Sequence, residues 1–245
     1  MPKNFKLTIE YDGTAYHGWQ RQRCDNTIQA EIEKAITRIT GEKVALIGSG
    51  RTDAGVHAFG QTANFFCETR LDADAIQKGL NALLPDDIVI RNCAESNSDF
   101  HARKNVQSKI YTYRILNRLT PSAIYRRYSW HVKKKLDLPA MQKAGEHLVG
   151  LHDFRAFQGQ GSGIINTERR ITSLCFLKED DFIIIEMEGK GFLRFMVRNI
   201  VGTLVDVGRG KIAPDEFKQI LDSRNRSKAS ATAPPHGLFL MEVKY

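Results

Sequence analysis

One short signature occurs twice in this chain. Glu10-Tyr11-Asp12-Gly13-Thr14-Ala15-Tyr16 and Glu186-Met187-Glu188-Gly189-Lys190-Gly191-Phe192 align position for position, with Glu and Gly shared and the Asp/Glu and Tyr/Phe pairs similar. Each follows a segment of strand character. Phe5 to Tyr11 alternates apolar and polar residues until Asp12-Gly13 interrupts it, and Phe182 to Glu188 runs into Gly189. Seven residues prove nothing alone, but similar surroundings frame both copies. In the first half Thr27 is placed as an N-cap for a helix with Ile28, Ile32, Ala35, Ile36 and Ile39 at helical spacing and Gly41 beyond its end. Val44 to Ile47 and Gln61 to Glu68 read as strands, Asp72 starts a helix through Leu84 that Pro85 stops, and Ile88 to Arg91 reads as a further strand. The second half offers a strand over Lys109 to Leu116, a helix over Pro139 to Val149, the strand before Gly189 and a buried helix over Met196 to Val207. This order fits an α+β chain of two related halves, 1–106 and 107–245.

With 245 residues the chain can bury one large core or two modest ones. Its 36 Lys and Arg outnumber 28 Asp and Glu for a net charge of +8, and the excess is clustered. The clusters include Arg21 with Arg23, Arg103 with Lys104, Arg126 with Arg127, Lys133 to Lys135, Arg169 with Arg170, and Arg224, Arg226 and Lys228. Any one of these is what a solvated face carries; together they point to a polyanionic partner, without separating RNA from DNA. No apolar run approaches the roughly 18 residues of a membrane span, and the Met1 to Lys6 start lacks a signal peptide's apolar core. A cytoplasmic protein with no membrane partner is expected. Cys24, Cys67, Cys93 and Cys175 are isolated and read as free, mostly buried thiols, and no histidine has a partner at metal-ligand spacing. Neither a metal nor a cofactor is expected.

Gly50-Arg51-Thr52-Asp53-Ala54-Gly55-Val56-His57 carries the strongest chemical signal. An Asp two residues before Gly ordinarily shapes a turn. Here Leu46 and Ile47 end an apolar strand, Gly48-Ser49-Gly50 permits close backbone approach, and Arg51 precedes the carboxylate by two residues. Asp53 is thus placed as a reactive group. The cluster Gln158 to Gly163 lacks the Gly-Lys-Ser/Thr ending of a phosphate loop, so Arg155 to Arg170 reads as a surface loop. Gly-x-Ser-x-Gly and His-Glu-x-x-His are absent, which removes the familiar hydrolase templates.

The octet resembles the catalytic loop of the tRNA pseudouridine synthase A family. Glu10 to Thr14, Gly18-Trp19-Gln20-Arg21-Gln22, Asn81 to Pro85, Phe100-His101-Ala102-Arg103, Met196 to Gly202, and Thr232-Ala233-Pro234 through Gly237-Leu238 are similar to the family pattern and follow in its order. The resemblance implies a continuous mixed, mostly antiparallel sheet flanked by helices, with a basic cleft at its centre. It implies isomerisation of uridine to pseudouridine at positions 38, 39 and 40 of the tRNA anticodon stem-loop by a homodimer that also touches the tRNA body. Asp53 corresponds to the nucleophile, Arg198 to the basic residue that pairs with it, Arg51 to one that helps displace the target base, and Tyr111 to the tyrosine lying against the uracil. Whether Tyr111 only stacks or also removes a proton stays open. His57 is a second candidate to fill the gap left by the base, and Arg21 and Arg103 are candidate substrate contacts.

Two other readings stay open at this point. One is an RNA-binding α+β module without catalysis. The other is a synthase for a different uridine.

Overall fold

The computed structural model describes residues 2–23, 26–161 and 163–245, so Cys24 and Ser162 lie outside the described residues. Two compact units emerge, Met1–Gln107 with Phe239–Tyr245, and Ser108–Leu238.

The first unit runs β1 (Lys3–Tyr11), α1 (Ile28–Thr40), β2 (Ile47–Gly48), β3 (His57–Cys67), α2 (Ala73–Leu83) and β4 (Ile88–Ser96). β1 lies between β3 and β4, antiparallel to both, with Leu7 opposite Ala63 on one side and Cys93 on the other. Alternation along β1 buries Phe5, Leu7, Ile9 and Tyr11. They share the core with Ile28, Ile32 and Ile36 of α1 and Ile76 and Leu80 of α2. Phe5 stacks on Phe65 of β3 with ring centroids 5.4 Å apart. Asp72 caps α2 by accepting the Ala75 N–H at 2.8 Å, and Gly41 closes α1 in the left-handed conformation at φ 79°.

One local expectation holds in position without its side-chain bond, and another needs correction. Thr27 occupies the N-cap position of α1, yet its hydroxyl is buried and makes no hydrogen bond. The strand expected over Val44 to Ile47 shrinks to Ile47–Gly48. Its upstream backbone is spent elsewhere: the Leu46 N–H donates to the Glu33 carboxylate at 2.9 Å and the Leu46 carbonyl accepts from Gln29 at 3.0 Å.

The second unit runs β5 (Ser108–Leu116), β6 (Trp130–His131), α3 (Leu138–Glu146), β7 (Gly150–Asp153), β8 (Glu168–Glu179), β9 (Phe182–Gly189), α4 (Met196–Gly208) and α5 (Pro214–Asp222). The strand order is β5-β9-β8-β7, antiparallel throughout, with β6 parallel to β5. Strand β9 buries Ile183, Ile185 and Met187, and α4 buries Ile200, Val201 and Leu204. The expected surface loop over 155–170 carries regular structure at both ends. Phe154, Ala156 and Phe157 form a buried turn in which Phe157 stacks on Phe217 of α5 at 5.6 Å, and strand pairing begins at Glu168.

The last strand, β10 (Leu238–Lys244), returns to the first unit and runs parallel to the start of β3, with Phe239 opposite His57 and Leu240 opposite Ala58. Assigning all of 107–245 to the second half is therefore corrected at 239–245, because these residues find their pairing partners on β3. Each unit has the expected mixed, mostly antiparallel sheet with helices packed on it. Among the described residues no helix is long and apolar enough to cross a membrane, and no cluster of three His, Cys, Asp or Glu is arranged to hold a metal.

Candidate active site

Asp53 lies half-buried in the loop from β2 to β3, and the backbone on both sides of it is tied down. Before it, the Ser49 hydroxyl donates to Gln61 at 2.6 Å, the Gln61 amide donates to the Gly50 carbonyl at 3.0 Å, and Thr52 shares a 2.7 Å bond with the Tyr11 hydroxyl. After it, the Asp53 carbonyl accepts the Val56 N–H at 3.1 Å and Gly55, at φ 76°, donates to the Tyr16 carbonyl at 3.3 Å. The segment 13–20 presses on this loop. Trp19 N–H donates to the Thr52 carbonyl at 3.1 Å. Gly18 stands at φ 91°, and a Cβ there would lie 2.6 Å from that same carbonyl. Close backbone approach, inferred for Gly48-Ser49-Gly50, is real at Gly48, where a Cβ would lie 2.5 Å from the Trp19 indole nitrogen.

His57 opens β3, immediately behind the loop, and is only 2% exposed. Its ring stacks on Phe239 at 4.8 Å, and Nδ1 lies 3.1 Å from the Gly13 nitrogen and 3.0 Å from an Asp12 carboxylate oxygen. One nitrogen cannot bond both at once. The Gly13 N–H serves a ring whose Nδ1 carries no proton, and Asp12 serves a ring whose Nδ1 is protonated. Either way the imidazole is enclosed and tied to residues 12–13.

Arg51 is exposed and its Nε donates to Gln20 at 3.1 Å, while Gln20 donates to Gln29 at 2.7 Å. Arg21 joins the same network. Its guanidinium meets the buried Glu33 carboxylate at 2.9 Å and its N–H donates to Gln29 at 3.0 Å, although 62% of its side chain stays exposed. Arg103 is also exposed but sits elsewhere, in the turn whose Ala102 N–H donates to Asn64 at 2.9 Å. Glu33 was not anticipated as a site support. Its signal was a carboxylate beside the Ile28, Ile32, Ile36 stripe, four residues after Gln29, which donates to it at 2.9 Å. A buried charge of this kind requires partners, and Arg21, Gln29 and Leu46 are those partners.

In the second unit Tyr111 lies on β5 opposite Met187, 7% exposed, with its ring edge-on to Phe192 at 5.1 Å. Tyr113, two residues along, is a packing residue whose hydroxyl donates to the Pro234 carbonyl at 2.8 Å. Burial pushes its phenol far above the usual range. Arg198 is half-buried in the first turn of α4. Its Nε donates to the Ala233 carbonyl at 2.8 Å and its guanidinium lies 5.1 Å from the Phe195 ring centre. A carboxylate set in a pinned loop can serve as a nucleophile, and an arginine fixed through Nε can present its remaining N–H donors in a defined plane.

The sequence model of one family, described as tRNA pseudouridine synthase, matches residues 7–103 and 144–245. A protein of Acetivibrio thermocellus named tRNA pseudouridine synthase A is 50% identical over 243 residues, covering 99% of this chain and 100% of the relative. One of Clostridium perfringens named tRNA pseudouridine synthase A 2 is 47% identical with the same coverage. A solved structure titled as the archaeal box H/ACA sRNP Nop10-Cbf5 complex aligns at 12% identity and a TM-score of 0.35, covering 82% of this chain and 44% of the other. That overlap is too loose to bear on the fold.

Proposed function

Since the chain belongs to the tRNA pseudouridine synthase family, whose members isomerise uridine to pseudouridine, we propose that it acts on uridines 38 to 40 of the tRNA anticodon stem-loop with Asp53 as nucleophile. The observation that carries the second part is the loop itself. Asp53 is half-buried between backbone anchors at Gly50, Thr52 and Gly55, the preorganisation that a covalent catalyst needs.

The reaction breaks the bond from ribose C1′ to uracil N1, turns the base, joins C1′ to C5, and moves the C5 proton to N1 through solvent. Atoms and electrons balance without an oxidant or a reductant. A carboxylate suits it because it can add, hold the intermediate and depart. In the same reading Arg51 helps displace the target base, Tyr111 lies against the uracil, and Arg198 supplies the countercharge to the nucleophile. A target base must leave its stack at a cost of a few kcal/mol, which a polyanion-binding surface helps to offset. The reading also makes the protein a cytoplasmic homodimer.

The test uses tRNA carrying tritium at uridine C5. Wild type should release label to water, and Asp53→Asn should bind tRNA with unchanged or tighter affinity while releasing none. Tight binding without release by the wild type would leave an RNA-binding protein and remove the assignment of Asp53.

A further inference from the structure

Residues 229–234 have no regular secondary structure, yet 230–233 are held to α4 residue by residue. The Ser230 N–H donates to Thr203 at 3.2 Å, and the Arg226 guanidinium donates to the Ala229 and Ser230 carbonyls at 3.1 and 3.0 Å. Thr232 donates to the Asn199 side-chain oxygen at 2.6 Å, and Arg226 reaches the same oxygen at 3.0 Å and the Thr232 hydroxyl at 3.2 Å. Asn199 is fully buried. Its amide nitrogen is committed to the Phe157 carbonyl at 2.8 Å, which turns its oxygen toward Arg226 and Thr232. Gly202 completes the seat, because a Cβ there would overlap the Ala231 carbonyl.

Ala233 follows Thr232 directly and pairs with Arg198. Its N–H donates to the Arg198 carbonyl at 3.1 Å, and its carbonyl accepts from Arg198 Nε at 2.8 Å. The Arg198 guanidinium also packs on Phe195, which stands at φ 60°. A bulky residue holds that left-handed conformation only where its surroundings impose it. Gly159 borders it, with its N–H on the Arg194 carbonyl at 2.8 Å and no Cβ, since one would lie 2.5 Å from the Phe195 ring. A network built only to anchor the chain would not need to end on an arginine side chain.

We propose that Thr232, Arg226 and Asn199 are positioning residues for the reaction, fixing the Ala233 carbonyl and through it the plane and reach of the Arg198 guanidinium. The proposal rests on the role given above to Arg198. It calls for losses in the chemical step rather than in tRNA affinity, because none of the three needs to touch the substrate.

Single-turnover tritium release at saturating enzyme, tRNA dissociation constants and thermal midpoints would be measured for Thr232→Val, Thr232→Ser, Arg198→Lys and the double variant Thr232→Val/Arg198→Lys. Thr232→Val should slow release on the order of tenfold to a hundredfold with tRNA affinity within about threefold, in line with the cost of displacing a catalytic group by about an ångström. Thr232→Ser, which keeps the hydroxyl, should recover most of the rate. In the Arg198→Lys background Thr232→Val should cost nothing more. A folded Thr232→Val with the wild-type rate, or one that slows Arg198→Lys by the same factor as wild type, would overturn the proposal while leaving the role of Arg198 intact. An Arg198→Lys enzyme as fast as wild type would instead overturn that role, and the proposal with it. Should Thr232→Val fail to fold, Arg226→Lys, which keeps the charge and loses the fork, takes its place under the same criteria.

Discussion

Gly18→Ala should inactivate this protein without any change to a reacting group. At φ 91° an alanine pays the left-handed penalty of about 1–2 kcal/mol. Its Cβ would also lie 2.6 Å from the Thr52 carbonyl oxygen and 3.1 Å from both the Asp53 carbonyl carbon and the Ala54 nitrogen. To reach the 3.4 Å at which ordinary contact begins, that oxygen must retreat by about 0.8 Å. The Thr52 carbonyl also accepts the Trp19 N–H at 3.1 Å, so the retreat weakens a bond worth about 1 kcal/mol. A displacement of this size, one residue before Asp53, should lower the single-turnover rate on the order of a hundredfold while tRNA affinity holds. Gly41→Ala is the control. It has nearly the same backbone, φ 79°, but nothing within 4 Å of the added Cβ, so it bears the strain without the displacement. Both variants should lose stability in urea, and only Gly18→Ala should lose tritium release. Full activity in Gly18→Ala, or an equal loss in Gly41→Ala, would refute the link between this contact and the Asp53 loop.

Two further outcomes follow from buried groups in the first unit. His57→Leu should cost about 2–4 kcal/mol in urea unfolding, because it leaves Asp12 and the Gly13 N–H without the imidazole; weaker tRNA binding at unchanged stability would return His57 to the substrate surface. Burial pushes the Cys93 thiol from 9.0 up to about 12, so the unfolded chain ionises first as pH rises. The thiol's contribution should be complete below pH 9 and fade between about pH 9 and 12, seen as a shrinking difference in urea midpoint between wild type and Cys93→Ala; a difference that stays level across that window would contradict the assignment.

Periodicity in the chain was sufficient for the elements whose burial is local. Alternation in Phe5 to Tyr11 and 3.6-residue spacing in Ile28 to Ile39 became β1 and α1, since a strand or helix with one apolar stripe has only one way to hide it. The Asp53 loop was legible for a related reason: glycines and a carboxylate in close succession restrict the backbone before any partner is known. Other features depended on residues far along the chain. Whether Val44 to Leu46 pairs as a strand was decided by Glu33 and Gln29, which claim the Leu46 backbone first. Whether His57 faces solvent was decided by Asp12, Gly13 and Phe239, and the allegiance of residues 239–245 by pairing with β3. The hold on Arg198 runs through Ala233, 35 residues away, and that on its neighbour Asn199 through Arg226 and Thr232. Local sequence sets which face of an element is apolar. The tertiary fold determines which backbone and side-chain groups spend their hydrogen bonds on one another, because nearly all buried polar groups need a partner and only the folded chain brings the competing candidates within reach.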